Sequence, residues 1–271
     1  YLEGDRSDEI ANGGKLRNRT SPIGDIVNSS PFYSEESAGL FIGANDGMLH
    51  GINSATGAVE FSYVPSGLNF QHLSTLSDPE YQHRFFVDGG IDVTTRAQGN
   101  NRNILVASLG RGGKGVFALD VSDPTTFDDT DVLWDRTGTG VHNDMGYVLG
   151  APLVRQGRAT GSNVVTYAFV GNGVESTNGS STLFVYNALT GAEVKRIVVD
   201  ANGGGLAAPR AADTNVDGVA DAIYAGDLSG SLWKFDISGN VNDWSAQKIF
   251  SAVDASGNAQ PITAPVAIAR E

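Results

Sequence analysis

The stretch Ile223-Tyr224-Ala225-Gly226-Asp227-Leu228-Ser229-Gly230-Ser231-Leu232-Trp233-Lys234-Phe235-Asp236 reads as two short strands joined by a tight turn. Large apolar residues alternate with other types along the second strand, and glycines bound the turn. The same unit recurs as Leu40-Phe41-Ile42-Gly43 before Gly47-Met48-Leu49-His50-Gly51-Ile52, and as Ile104-Leu105-Val106-Ala107 before Gly115-Val116-Phe117-Ala118-Leu119-Asp120. Another copy is Ala168-Phe169-Val170-Gly171 before Thr182-Leu183-Phe184-Val185-Tyr186-Asn187. The chain therefore repeats one structural unit.

A short opening strand precedes each unit, at Ser30-Pro31-Phe32, Gly90-Ile91-Asp92, Ala151-Pro152-Leu153 and Ala208-Pro209-Arg210, and a fifth follows at Ala264-Pro265-Val266. Positions 31, 91, 152, 209 and 265 lie 60, 61, 57 and 56 residues apart, a regularity that unrelated strands would not produce. Turns such as Ala55-Thr56-Gly57 and Leu189-Thr190-Gly191 launch a fourth strand. A four-stranded antiparallel sheet at a fixed period is a β-propeller blade, since each sheet hides its faces only against its neighbours. The expectation is an all-β propeller domain or fragment over residues 1–271, with blades starting near 25, 84, 145 and 205 and a fifth opening strand near 261. The stretches 66–83, 122–144 and 240–260 are expected to be excursions between or within blades, with Asp128-Asp129-Thr130-Asp131 a solvated acidic turn.

Composition agrees with short strands and many turns: of 271 residues 35 are glycine, and charged residues make up 18%. The formal net charge of −13 repels phosphate backbones and anionic lipid, so neither nucleic acid nor a membrane surface is an expected partner. Cations are the natural small partners. With no cysteine there is neither a disulfide framework nor a thiolate site. No apolar run reaches the length of a membrane span, and Tyr1-Leu2-Glu3-Gly4-Asp5-Arg6 lacks the apolar core of a signal peptide, so any export signal is expected upstream.

The sharpest chemical signal is Asp213-Thr214-Asn215-Val216-Asp217-Gly218-Val219-Ala220-Asp221. Oxygen-bearing side chains stand at Asp213, Asn215, Asp217 and Asp221, Gly218 permits the sharp turn, and Val219 can offer its carbonyl. A hard cation wants about six to eight oxygens, and alternate residues of a tight loop can point theirs inward, so the expected ligand is Ca2+. The bland alternative is an Asx-rich turn between strands, but three carboxylates so close would repel one another without a cation. Position 12 of such a loop normally carries a bidentate Glu; here it is Tyr224, inside a strand, which implies tunable affinity and a loop without flanking helices.

Other signals are weaker. Gly110-Arg111-Gly112-Gly113-Lys114-Gly115 looks like a phosphate loop, yet no Ser or Thr follows the lysine and it joins two strands, so a hairpin is expected. His50, His72, His83 and His142 lack zinc spacing. Asn45-Asp46-Gly47 and Asp88-Gly89-Gly90 could feed a second ion, although Asp-Gly is also ordinary hairpin chemistry. The sequons at Asn18, Asn28 and Asn178 carry no assigned role.

Several segments resemble the C-terminal propeller of the PilY or PilC type, the tip-associated adhesins and assembly factors of bacterial type IV pili. They are Gly24-Asp25-Ile26-Val27-Asn28-Ser29-Ser30-Pro31, Gly43-Ala44-Asn45-Asp46-Gly47-Met48-Leu49-His50, His83-Arg84-Phe85-Phe86-Val87-Asp88-Gly89, Gly112-Gly113-Lys114-Gly115-Val116-Phe117-Ala118-Leu119-Asp120 and Tyr224 to Asp236. The resemblance implies a modified seven-bladed ring and a calcium loop whose occupancy controls pilus extension, retraction and twitching. It also implies contact with minor pilins and a host surface receptor, and a place at the pilus tip (fimbrium), cell surface or outer membrane. Asp213, Asn215, Asp217 and Asp221 match the family's side-chain ligands and Val219 its carbonyl ligand. The departure is length, since 271 residues are too few for seven such blades. The competing expectations are a quinoprotein-like dehydrogenase propeller, which lacks a vicinal cysteine pair and a cofactor-clamping cluster here, and a purely structural calcium-stabilised propeller.

Overall fold

The computed structural model describes residues 1–138, 140–161 and 163–269. Four antiparallel sheets follow one another, each a simple up-and-down meander of four strands in chain order. The first holds β1 (Phe32–Ser34), β2 (Gly39–Gly43), β3 (Leu49–Asn53) and β4 (Val59–Tyr63), and the second β5 (Ile91–Val93), β6 (Ile104–Ser108), β7 (Val116–Asp120) and β8 (Val132–Arg136). The third holds β9 (Leu153–Arg158), β10 (Val164–Gly171), β11 (Ser181–Asn187) and β12 (Glu193–Asp200), and the fourth β13 (Arg210–Ala212), β14 (Ala222–Gly226), β15 (Ser231–Asp236) and β16 (Ser245–Ser251).

Strand periodicity explains how the sheets stack. In β6 and β7, Leu105, Ala107, Phe117 and Leu119 face the first sheet in one core. Their alternate neighbours Ile104, Val106, Val116 and Ala118 face the third sheet in another. The third sheet divides likewise: Ala168, Val170, Phe184 and Tyr186 join the second core, while Tyr167, Phe169, Leu183 and Val185 meet Ile223, Ala225 and Phe235 in a third. Middle sheets are thus apolar on both faces. The innermost strands pack in sequence, β1 on β5, β5 on β9 and β9 on β13, and no packing of similar extent joins β13 to β1 among the described residues. The four blades form an open arc.

The glycine that ends the second strand of a blade has a packing cause. A Cβ on Gly43 would lie 2.4 Å from the Val87 carbonyl oxygen, on Gly171 2.1 Å from that of Ala207, and on Gly226 2.2 Å from Ile262 Cγ2. The segment entering the next blade leaves no room for a side chain. At the equivalent position of the second blade, Ser108 donates its hydroxyl to the Val148 carbonyl at 2.9 Å.

The stretches 122–144 and 240–260 and the fifth opening strand need correction, while 66–83 is an excursion between blades as expected. The stretches 122–144 and 240–260 contain the fourth strands β8 and β16, reached through turns other than Thr-Gly: 3-10 turns at Pro124–Thr126 and Asp129–Asp131 for β8, and at Val241–Asp243 for β16. Asp128 closes the acidic turn by accepting the Thr130 amide, while Asp131 accepts the Asp128 amide. Residues 66–83 carry a short helix, α1 (Phe70–Ser74), whose first amides are capped by Asn69. The fifth opening segment, Ala264-Pro265-Val266, lies outside any strand, because the described chain supplies no second strand to pair with it. It nevertheless docks like its predecessors, for Ile262 donates its amide to the Asp227 carbonyl at 2.9 Å as Val87 does to Ala44 at 3.4 Å.

Gly171→Ala is expected to lower stability by about 1–3 kcal/mol in denaturant melts, whereas Gly239→Ala, with open space around it, should be near neutral. Equal losses at the two sites would refute the close-approach explanation.

Candidate metal centre

The loop 213–221 joins β13 to β14, which pair as Arg210 to Tyr224, Ala211 to Ile223 and Ala212 to Ala222. It is built around Asp213, whose Oδ1 accepts the amides of Val216 at 2.6 Å and Asp217 at 3.2 Å, and whose Oδ2 accepts that of Gly218 at 2.8 Å. Asn215 Oδ1 accepts the Asp217 amide at 3.0 Å, and Asp217 Oδ1 accepts the Val219 amide at 2.9 Å. Two left-handed residues, Val216 at φ 64° and Gly218 at φ 87°, wind the chain tightly enough for these bonds. Val216 is a strained choice, being β-branched and exposed.

Two further carboxylate oxygens, Asp221 Oδ2 and Asp217 Oδ2, are engaged by neighbours. Asp221, buried at the loop's end, accepts from the Thr214 amide at 2.8 Å and hydroxyl at 2.6 Å. Asp217 Oδ2 meets the Asn215 side-chain amide at 3.1 Å and Arg158 Nη2 of the preceding blade at 2.5 Å. Among the described residues no three His, Asp or Glu side chains converge on one metal position. The donor set still suits a hard cation, with oxygens at Asp213, Asn215, Asp217, Asp221 and the Val219 carbonyl on one turn, and a guanidinium already stands against Asp217 as a resident positive charge. Asp217 is held below the usual carboxylate range, first by the Val219 amide and then by the Asn215 amide and Arg158. Tyr224 stays in β14 opposite Arg210, so position 12 adds no carboxylate.

The loop also bridges two blades, because the Ala220 amide donates to the Gln156 carbonyl of β9 at 2.9 Å. Arg158 and Gln156 are the residues that loop spacing alone misses. Arg158 lies 59 residues from Asp217, about one blade repeat, and that is the signal that could have found it.

The other candidates dissolve into structure. His50 is buried between Asp46 at 2.9 Å and Ser62 at 2.8 Å, His83 rests on Asp25 at 2.8 Å, and His142 sits beside Asp144 and Arg196. Asp46 also accepts the Gly24 amide at 2.8 Å, and Asp88 accepts from Asn28 at 3.0 Å and 2.6 Å, so both carboxylates anchor the segment leading into the first blade. The Gly110–Gly115 stretch is a hairpin between β6 and β7, with Lys114 Nζ donating to the Glu175 carbonyl at 2.6 Å. A cleft of about 680 Å³ lies at the opposite end of the blades from the loop, between residues 17–26 and Asn45, Asp46, Leu76 and Tyr81.

Four-stranded antiparallel meanders stacked face to face define a β-propeller. A family model described as the PilY1 beta-propeller domain matches residues 7–271, and the chain belongs to that family. It is 36% identical over 325 residues to a type IV pilus biogenesis factor PilY1 of Pseudomonas aeruginosa (strain PAK), covering 100% of this chain and 27% of that protein. It is 34% identical over 326 residues to a PilY1 homolog of Xylella fastidiosa, covering 99% of this chain and 22% of that one. The solved C-terminal domain of Pseudomonas aeruginosa PilY1 superposes with a TM-score of 0.66 at 34% identity, over 83% of this chain and 48% of that structure. The chain thus spans about a quarter of the length of its curated relatives.

Two outcomes test the loop geometry. Val216→Asn, which tolerates the left-handed region, is expected to raise metal-free stability by about 0.5–1 kcal/mol. The depressed Asp217 pKa contributes stability that is present above its ordinary value of 3.8 and is lost as pH falls through the lower folded value. Acid melts of Asp217→Asn should lack that part of the slope.

Proposed function

We propose that this chain is the calcium-responsive propeller of a surface-exposed type IV pilus biogenesis and adhesion factor, working by binding rather than catalysis. The observation that carries the reading is the loop 213–221, whose oxygens sit at the joint between the third and fourth blades. Membership of the PilY1 propeller family supports the pilus role, and the relatives are named as biogenesis factors. Export to the pilus tip or outer surface follows from that role, with minor pilins and a host surface receptor as partners.

Asp213, Asn215, Asp217 and Asp221 would hold the ion with the Val219 carbonyl. Calcium, when bound, supplies a divalent charge that offsets the mutual repulsion of the three carboxylates. Asp213 keeps the loop wound through its three amide bonds, and the Ala220 amide keeps it tied to β9. A blade joint stiffened in this way presents its edge to a pilin or host surface in one arrangement, and calcium biases the equilibrium by the difference in its affinity for the two arrangements. The scaffold needs no catalytic group for this.

Calorimetry on the intact protein is expected to show calcium binding that Asp217→Ala weakens by about tenfold or more. Cells carrying Asp217→Ala should lose the calcium dependence of piliation and twitching. Normal calcium-dependent twitching in that strain would defeat the switch, and a calcium-raised melting temperature with unchanged pilin binding would reduce the ion to a structural part.

A further inference from the structure

We propose that Arg158 is the loop's built-in counter-ion, a blade-to-blade latch that occupies Asp217 when calcium is absent and is displaced when calcium binds. The inference rests on the calcium reading of loop 213–221 and names the regulation of that site. Arg158 ends β9 in the third blade, and its Nη2 lies 2.5 Å from Asp217 Oδ2 in the fourth. That oxygen belongs to the central acidic residue of the loop, so guanidinium and metal compete for one atom.

The same strand supplies a contrast that shows why this pair is exchangeable. Three residues earlier Arg155 bonds Asp92 Oδ2 of the second blade at 2.9 Å, and the Val154 amide bonds the same oxygen at 2.8 Å. Asp92 is buried, and burial pushes its pKa up, so removing either donor would strand a carboxylate in the core. That joint is fixed. The two arginines are comparably exposed, but Asp217 keeps 36% of its side-chain surface against 12% for Asp92, so water can take the carboxylate when the guanidinium leaves.

Release of Arg158 does not detach the loop from the third blade. The Ala220 amide still holds the Gln156 carbonyl at 2.9 Å, two residues back along β9. The exchange therefore replaces a cross-blade ion pair by a metal centre inside the fourth blade, while the backbone hinge persists. Calcium affinity is set partly by a residue outside the ligand set, and the strength of the joint changes with occupancy.

The test is calcium titration by calorimetry, with melts in chelator and in saturating calcium, on intact wild type, Arg158→Gln, Arg155→Gln and Asp217→Ala. Arg158→Gln is expected to bind calcium about three- to tenfold more tightly than wild type, the gain shrinking as salt rises. Its melting temperature should fall by about 2–4 °C in chelator and match wild type in calcium. Arg155→Gln should melt lower in both conditions without changing calcium affinity. If Arg158→Gln does not fold, Arg158→Lys, which keeps the charge without the planar fork, should show a smaller gain in affinity. Unchanged affinity in the Arg158 variants, or a melting difference that persists in calcium, overturns the latch while leaving the calcium site intact. Absence of calcium binding in wild type and all variants overturns the calcium reading, and the latch with it.

Discussion

A blade of this protein cannot bury itself. A four-stranded sheet with apolar residues on both faces needs a neighbour on each side, and the alternation in β6, β7, β10 and β11 divides every middle blade between two cores. The rest of the architecture follows from bringing blades close enough to share those cores. Gly43, Gly171 and Gly226 mark close approaches, where the incoming segment of the next blade occupies the volume a Cβ would need. Ser108 meets the same demand with a hydroxyl that donates to the neighbouring carbonyl.

Polar joints follow the same geometry, and they fall close to one repeat apart. Asn28 and Asp88 are separated by 60 residues, Arg96 and Glu36 by 60, Lys114 and Glu175 by 61, Arg155 and Asp92 by 63, and Arg158 and Asp217 by 59. In a linear stack, equivalent positions on adjacent blades are spatial neighbours, so the period that defines the fold also defines its contacts. A chain with only 18 Lys and Arg against 31 Asp and Glu places the cations of Lys114, Arg155 and Arg158 at these joints, while Arg96 contributes its backbone amide.

Placing the loop at such a joint distinguishes it from a surface turn that happens to be acidic. Its first carboxylate winds the backbone, its last is tucked against Thr214, and its middle one reaches across to another blade. The division of labour gives Asp213 a folding task and leaves Asp217 the member exposed to competition. The loop has no flanking helices: β13 and β14 are locked in register on either side of it.

The sequence by itself determined the repeat, the strand faces and the donor order of the loop, because each is a local pattern with a fixed period: two along a strand, about 60 between blades, alternate residues through the turn. It misplaced β8 and β16, whose approach turns lack the Thr-Gly signal, and it suggested a fifth strand at Pro265. A strand exists only when a partner supplies its hydrogen bonds, and Ala264-Pro265-Val266 has none among the described residues. Only the tertiary structure decided that Arg158 faces Asp217 while Arg155 faces Asp92. Local spacing is blind to contacts that the stacking of blades creates, and those contacts set which carboxylate is buried and which stays exposed.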